Sequence, residues 1–112
     1  MKKVWLLILL IFLPLVAFNA WGQSRHALLI GIGNYPEDSG WNIIHGNNDV
    51  SIIKEALIRQ GFSSESILQL IDSEATKENI LLSFDKLSDS CQTGDVVYLH
   101  FSGHGQQITD LN

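Results

Sequence analysis

The chain has 112 residues and a formal net charge of -5, from twelve acidic and seven basic side chains. This acidic balance disfavours binding to a phosphate backbone, so we expect no nucleic-acid partner. The single cysteine, Cys91, excludes an internal disulfide bond.

The first 22 residues have the layout of a secretory signal peptide. Two lysines precede an apolar run over residues 4–18 that only a proline interrupts, and the small residues Ala20 and Gly22 follow. We expect cleavage after Gly22, or otherwise after Ala20, and export to the periplasm or the extracellular space. An uncleaved membrane anchor is the alternative, but the run is short for a span of ~20 residues, so we expect no stable span after cleavage.

The remaining residues, 23–112, alternate strand and helix patterns. The apolar run over residues 26–32 predicts a strand buried on both faces, and a polar loop follows it to residue 47. A helix is predicted to begin near Asn48 or Asp49, because both residue types suit an N-cap. Gly61 is placed to end it.

A second strand is predicted over Ile67–Ile71, a second helix after an N-cap at Thr76, and a third strand over Val96–Phe101. The β-α-β-α-β order predicts an α/β fold with a parallel sheet and right-handed crossovers. Helical spacing predicts inward-facing side chains, which are Val50, Ile53, Ala56 and Leu57 in the first helix and Ile80, Leu81, Phe84 and Leu87 in the second.

In open parallel sheets, ligands bind beyond the carboxyl ends of the strands. Residues 31–36, Asn48-Asp49 and Ser102–Gly105 are predicted to share that edge. His104 lies between two glycines there and can exchange protons near neutral pH. The backbone N–H of Gly105 can face a developing oxyanion. A tight turn without chemistry is the alternative interpretation.

The other histidines and the cysteine are weaker candidates. His100 is expected to pack inside the third strand, His45 to be solvated in the polar loop, and His26 to be structural at the start of the first strand. This spread gives no metal-ligand spacing, so we expect no metal site. Cys91 precedes the third strand, which spans ~20 Å, so it is predicted to lie too far from His104 for a hydrogen bond.

The run Gly31-Ile32-Gly33-Asn34-Tyr35-Pro36 has the beginning of a dinucleotide-binding loop. It lacks the third glycine, and the predicted helix begins about a dozen residues later, too far away to cradle a pyrophosphate. A nucleotide-binding domain is therefore disfavoured.

Together these segments resemble the caspase-like peptidases, and within them the metacaspase branch. The most specific match is "GDVVYLHFSGHGQQ" at Gly94–Gln107, and weaker matches lie at Arg25–Pro36, Gly46–Leu57 and Ala75–Leu87. The resemblance implies a three-layer α-β-α sandwich with a parallel sheet. Residues 23–112 would form part of the p20-type domain of that fold.

The resemblance implies a cysteine endopeptidase with a Cys–His dyad, in which His104 assists the thiolate and Gly105 is the oxyanion donor. The cysteine is expected about forty residues beyond Asn112, so these residues alone are expected to be inactive. A non-catalytic caspase-like module for binding or scaffolding is the alternative. A downstream Asp-x-Cys segment would favour the enzyme.

The resemblance also implies specificity for peptide or protein substrates with a basic P1 residue. Residues 41–48 contain no arginine or lysine that could bind an acidic P1 side chain. Asp49 matches the acidic S1 residue of metacaspases, and Ser102 matches a second S1-lining position, so we expect cleavage after Arg or Lys. A role for Asp49 as a helix cap only is the alternative. No cofactor is expected here, and the calcium sites of that family lie in later segments.

Overall fold

A computed structural model describes residues 22–109, and it contains a parallel sheet between two α-helices. The predicted signal peptide, residues 1–22, lies outside the described residues except for Gly22. No helix within the described part is long and apolar enough to cross a membrane. The strands are β1 (Arg25–Gly31), β2 (Ile67–Ile71) and β3 (Val96–Ser102). The helices are α1 (Gly46–Arg59) and α2 (Lys77–Ser90). The predicted β-α-β-α-β order is confirmed.

The sheet has the strand order β2-β1-β3, and both outer strands run parallel to β1. The register pairs Gly31, the last residue of β1, with Ile71 of β2 and with Ser102 of β3. All three strands therefore end at one level. The segments that follow them share the carboxyl edge of the sheet, where parallel α/β folds place their ligands.

The central strand β1 supplies most of the core because it is buried on both faces. Ala27 and Leu29 pack with Val50 and other residues under α1. On the other face, Leu28 and Ile30 pack with Leu87 of α2. A strand covered on both faces needs the near-continuous apolar run that predicted it.

The predicted N-cap of the first helix is wrong. Helix α1 begins at Gly46 after His45, and neither Asn48 nor Asp49 is its N-cap; the side chain of His45 makes no capping hydrogen bond. A carbon atom added at Gly46 would lie 2.6 and 2.8 Å from carbonyl oxygens at the ends of β1 and β3. Close backbone packing against the strand ends therefore determines where this helix begins.

Two other predictions about helix ends are confirmed. Gly61 follows the C-cap of α1 and has a φ of 88°, a left-handed conformation that glycine adopts at low cost. Thr76 is the N-cap of α2, and its hydroxyl oxygen accepts a hydrogen bond from the backbone N–H of Asn79 at 3.2 Å. Local sequence is sufficient to define these two helix ends.

The predicted apolar faces are only partly correct. Leu87 is buried and Ile80 half-buried, but Leu81 and Phe84 of α2 are exposed. Ala56 in α1 is also exposed. Helix α2 packs mainly over β1 and β2 and leaves one face of β3 uncovered. Val97, Leu99 and Phe101, which lie on that face of β3, are therefore exposed. Val96 and Tyr98, on the opposite face, are also exposed.

Candidate active site

His104 follows β3 and lies against two aromatic rings. The Trp41 indole stacks on the imidazole with a centroid distance of 4.8 Å and an interplanar angle of 25°. The Tyr35 ring lies 5.0 Å from the imidazole, and its hydroxyl oxygen accepts a hydrogen bond from the backbone N–H of His104 at 2.7 Å. These contacts hold the half-buried imidazole at the carboxyl edge of the sheet, outside the apolar core.

The two nitrogens of the His104 ring have different surroundings. Nε2 lies 2.9 Å from the backbone carbonyl oxygen of Asn42. A carbonyl oxygen can only accept, so Nε2 carries the proton in this hydrogen bond. In the neutral ring Nδ1 then holds the lone pair and can take a proton from an approaching group.

The two predicted substrate-binding residues lie together beside the histidine. The hydroxyl of Ser102, the last residue of β3, donates a hydrogen bond to a carboxylate oxygen of Asp49 at 2.6 Å. Both residues are half-buried. Asp49 lies in the first turn of α1 and is not its cap, so this carboxylate is directed to the end of β3.

The glycines on either side of His104 have different surroundings. A carbon atom added at Gly103 would lie 3.0 Å from the Tyr35 hydroxyl, so this position needs a small residue for the tyrosine to reach the His104 backbone. Gly105 is exposed, and an added carbon atom there would meet nothing within 4 Å. The open space around Gly105 is suitable for a backbone donor to an oxyanion.

Asp72, which follows β2 at the same edge, was not predicted from the sequence. Its carboxylate accepts hydrogen bonds from the backbone N–H groups of Gly33 and Asn34, at 2.7 and 2.9 Å, and from the side-chain amides of Asn34 and Asn47, at 2.8 and 3.2 Å. Burial raises the pKa of Asp72, but these hydrogen bonds outweigh it and lower the pKa below its ordinary value of 3.8. Its place directly after an apolar strand was the signal that could have identified it.

Cys91 lies at the opposite edge of the sheet. It is the C-cap of α2, half-buried against the apolar cluster that contains Leu28 and Leu87. Strand β3 runs from that edge to His104 and is seven residues long. Seven extended residues span roughly 20 Å, so Cys91 is not a partner of this imidazole.

The remaining histidines lie away from this arrangement. His26 lies 3.5 Å from Asp95 at the amino edge, where both line a cavity of about 620 Å³. His100 lies within β3, and His45 is exposed at the start of α1. Among residues 22–109, no group of three or more His, Cys, Asp or Glu side chains is placed to hold a metal ion.

Comparisons with known proteins agree with this geometry. Residues 25–112 match a family model described as "Metacaspase, peptidase C14 domain". The chain is 38% identical over 96 residues to Metacaspase-1 of Eremothecium gossypii, which covers 80% of this chain and 21% of that protein. It is 37% identical over 93 residues to Metacaspase-7 of Arabidopsis thaliana, covering 77% of this chain and 22% of that protein. The chain thus spans about a fifth of the length of the curated relatives it matches.

Proposed function

The chain belongs to the metacaspase family of peptidase C14 domains, and on this premise we propose that the intact protein is a cysteine endopeptidase that cleaves after arginine or lysine. The observation that carries the proposal is the orientation of His104. Its Nε2 atom is engaged by the Asn42 carbonyl, which leaves Nδ1 as a proton acceptor at the edge of the sheet.

In the proposed reaction, Nδ1 of His104 takes the proton of a cysteine thiol, and the thiolate attacks the scissile carbonyl carbon. The imidazolium then gives this proton to the leaving amine as the C–N bond breaks, and water hydrolyses the resulting thioester to release the acid and restore the thiol. The Asn42 carbonyl stabilises the imidazolium through Nε2–H, and the backbone N–H of Gly105 donates to the oxyanion. Because Cys91 lies at the opposite edge, we propose that the thiolate comes from a cysteine outside these 112 residues.

Preference for a basic P1 residue is proposed from the Asp49–Ser102 pair. The Ser102 hydroxyl engages one oxygen of the Asp49 carboxylate. The other oxygen lies outside that hydrogen bond, and a carboxylate binds a guanidinium or ammonium group by charge-assisted hydrogen bonds. Residues 41–48 supply no opposing arginine or lysine.

We also propose that residues 1–22 direct export of the protein. The proposal is supported by the order of two lysines, an apolar run and the small residues Ala20 and Gly22. Cell fractionation and mass determination of the mature protein test it. A mature chain that begins at Gln23 or Trp21 outside the cytoplasm is expected, whereas an uncleaved cytoplasmic chain would contradict export.

Hydrolysis of matched Arg-P1 and Asp-P1 peptides by the intact gene product, with and without calcium, tests the proposed function. We expect turnover of the Arg-P1 peptide, and a fall in kcat of about 10²–10⁴-fold in His104→Ala because general acid–base catalysis is lost. The matched control is His45→Ala, an exposed histidine whose side chain makes no capping hydrogen bond. No turnover of any peptide would favour the binding or scaffolding module.

The same substrates test the pocket. Asp49→Asn removes the charge but keeps the size of the side chain. Because a hydrogen bond to a charged group contributes about 1.5–3 kcal/mol, we expect kcat/KM for the Arg-P1 peptide to fall about 10- to 100-fold. Unchanged kcat/KM in this variant would show that another residue recognises P1.

A further inference from the structure

The carboxylate of Asp72 binds two separate segments of the carboxyl edge. One segment is the loop after β1, where Gly33 and Asn34 donate three hydrogen bonds to it. The other is the first turn of α1, where the side chain of Asn47 donates a fourth. The strand end that carries Asp72 thus connects two segments that approach it from different parts of the chain.

Each of these segments carries a residue of the proposed site. The loop continues from Asn34 to Tyr35, whose hydroxyl accepts the backbone N–H of His104. The helix turn continues from Asn47 to Asp49, whose carboxylate accepts the hydroxyl of Ser102. Asp72 makes no hydrogen bond to His104 or Asp49. It binds Asn34, which directly precedes Tyr35, and Asn47, which lies in the same helix turn as Asp49.

We propose that Asp72 is a positioning residue for the peptidase reaction, which fixes His104 through Tyr35 and fixes Asp49 through the first turn of α1. The inference rests on the proposed function, because the positions of these groups affect turnover only if they act on the substrate. A displacement of about 1 Å in a catalytic group can lower a rate by about 100-fold, so four hydrogen bonds that fix two segments have a measurable consequence.

Asp72→Asn is the sharpest single change. One side-chain oxygen remains to accept the N–H groups of Gly33 and Asn34, and asparagine tolerates the φ of 50° found at this position. The other oxygen becomes an NH₂ group that faces the donor amides of Asn34 and Asn47. The variant therefore keeps the backbone contacts and breaks the link between the loop and the helix.

Asp95→Asn is the matched control. Asp95 also accepts two backbone N–H groups, from Ser24 and Gln92, both at 2.9 Å. It precedes β3 and lies at the amino edge, away from His104. A role for Asp72 in fold stability alone predicts that the two variants behave alike.

The experiment measures the maximal rate of the intact gene product on an Arg-P1 peptide. This rate is divided by the number of active sites, counted with an Arg-P1 inhibitor that forms a covalent bond to the catalytic thiol, to give kcat per titrated site. This normalisation removes any effect of a smaller folded fraction. We expect kcat per titrated site to fall about 10- to 100-fold in Asp72→Asn and less than about twofold in Asp95→Asn. Equal values in the two variants would overturn the proposal.

A double variant tests whether the kcat lost in Asp72→Asn can be restored. Asn47→Asp added to Asp72→Asn reverses donor and acceptor, so that the new amide at position 72 donates to the new carboxylate at position 47. Asn34 can rotate its amide to accept as well, and the oxygen at position 47 that accepts the N–H of Asn48 at 3.0 Å is kept. We expect most of the lost kcat to return; a double variant no faster than Asp72→Asn would contradict a positioning link.

A readout that does not depend on turnover separates the two proposals. The NMR resonance of the His104 Cε1–H group reports the surroundings of the imidazole. We expect it to shift in Asp72→Asn and to stay in place in Asp95→Asn. A wild-type protein without turnover refutes the peptidase function, whereas an unshifted resonance in Asp72→Asn refutes the positioning role.

Discussion

A histidine in contact with two aromatic rings loses much of its rotational freedom. The Trp41 indole stacks on the imidazole of His104, and Tyr35 binds both its ring and its backbone N–H. Nε2 is thereby kept on the Asn42 carbonyl before a substrate arrives. Such preorganisation lowers the entropy that the reaction must otherwise lose at the transition state.

Tyr35→Phe tests this residue directly. The change keeps the ring but removes the hydroxyl that accepts the His104 N–H. Because one hydrogen bond contributes about 0.5–1.5 kcal/mol net, we expect kcat to fall about three- to tenfold with little change in KM. A rise in KM at constant kcat would instead place the Tyr35 hydroxyl in substrate binding.

The sequence predicted some of the site residues and missed others for a physical reason. His104 and Ser102 follow an apolar strand, and Asp49 lies where the connection after the first strand enters a helix, so topology alone brings them to one edge. Trp41 and Asn42 reach His104 across more than sixty residues through the path of an irregular loop. No periodicity or capping pattern encodes such a path.

At the scale of elements, the position of α1 depends on the absence of a side chain. Gly46 places the helix backbone against carbonyl oxygens at the ends of β1 and β3. The first turn can then direct Asp49 to Ser102. The close approach at Gly46 thus brings the first turn of α1, with Asp49, near the end of β3.

Gly46→Ala is expected to move that helix end. The added carbon atom would lie 2.6 Å from the nearest carbonyl oxygen, and such overpacking costs about 1–3 kcal/mol. We expect a lower free energy of unfolding together with a higher KM for the Arg-P1 peptide. The control is Ala56→Gly on the exposed face of α1, which costs about 1 kcal/mol through helix propensity alone. An unchanged KM in Gly46→Ala would contradict the role of this contact.

Helix α2 provides the opposite case, because its start is set by local sequence. Thr76→Ala removes the hydroxyl that accepts the Asn79 N–H, and we expect it to lower the free energy of unfolding by about 1 kcal/mol. Denaturant titration measures this loss. Because α2 packs on the sheet away from His104, kcat per titrated site should not change; a parallel fall in kcat would show coupling between α2 and the site.

Helix ends that depend on their own residue types were predicted correctly, whereas features that depend on tertiary packing were not. Thr76 and Gly61 carry their cap or turn chemistry in their own residue types, so these helix ends were predicted correctly. The start of α1 depends on packing against strands that are distant in sequence, and an apparent cap at Asn48 was misleading. The exposure of Leu99 in β3 could not be predicted, since an apolar strand does not reveal what covers it.

At the scale of the whole molecule, the two edges of the sheet each carry an aspartate with a lowered pKa. Hydrogen bonding from the Gln92 N–H is the largest cause for Asp95, while burial opposes it and the Ser24 N–H and the nearby His26 add to it. For Asp72, hydrogen bonds from the loop after β1 and from α1 outweigh the opposing effect of burial. Both carboxylates therefore favour the folded state in their charged form.

Acid should weaken the fold through these groups. A folded-state pKa below the ordinary value of 3.8 stabilises the fold above that pH, and this contribution is lost as the pH falls through the folded-state pKa. We expect Tm of the intact protein to fall between about pH 5 and pH 2, and to fall less steeply in Asp95→Asn. Parallel curves for the two proteins would contradict a lowered pKa at Asp95.

The central claim is that His104 takes the proton of a catalytic cysteine at the carboxyl edge of the sheet. It is tested most directly by labelling the intact gene product with an Arg-P1 halomethyl ketone and locating the alkylated residue by mass spectrometry. We predict one labelled cysteine, different from Cys91, whose labelling is strongly reduced in both His104→Ala and Asp49→Asn. Alkylation of Cys91, or labelling that is indifferent to His104, would contradict the claim.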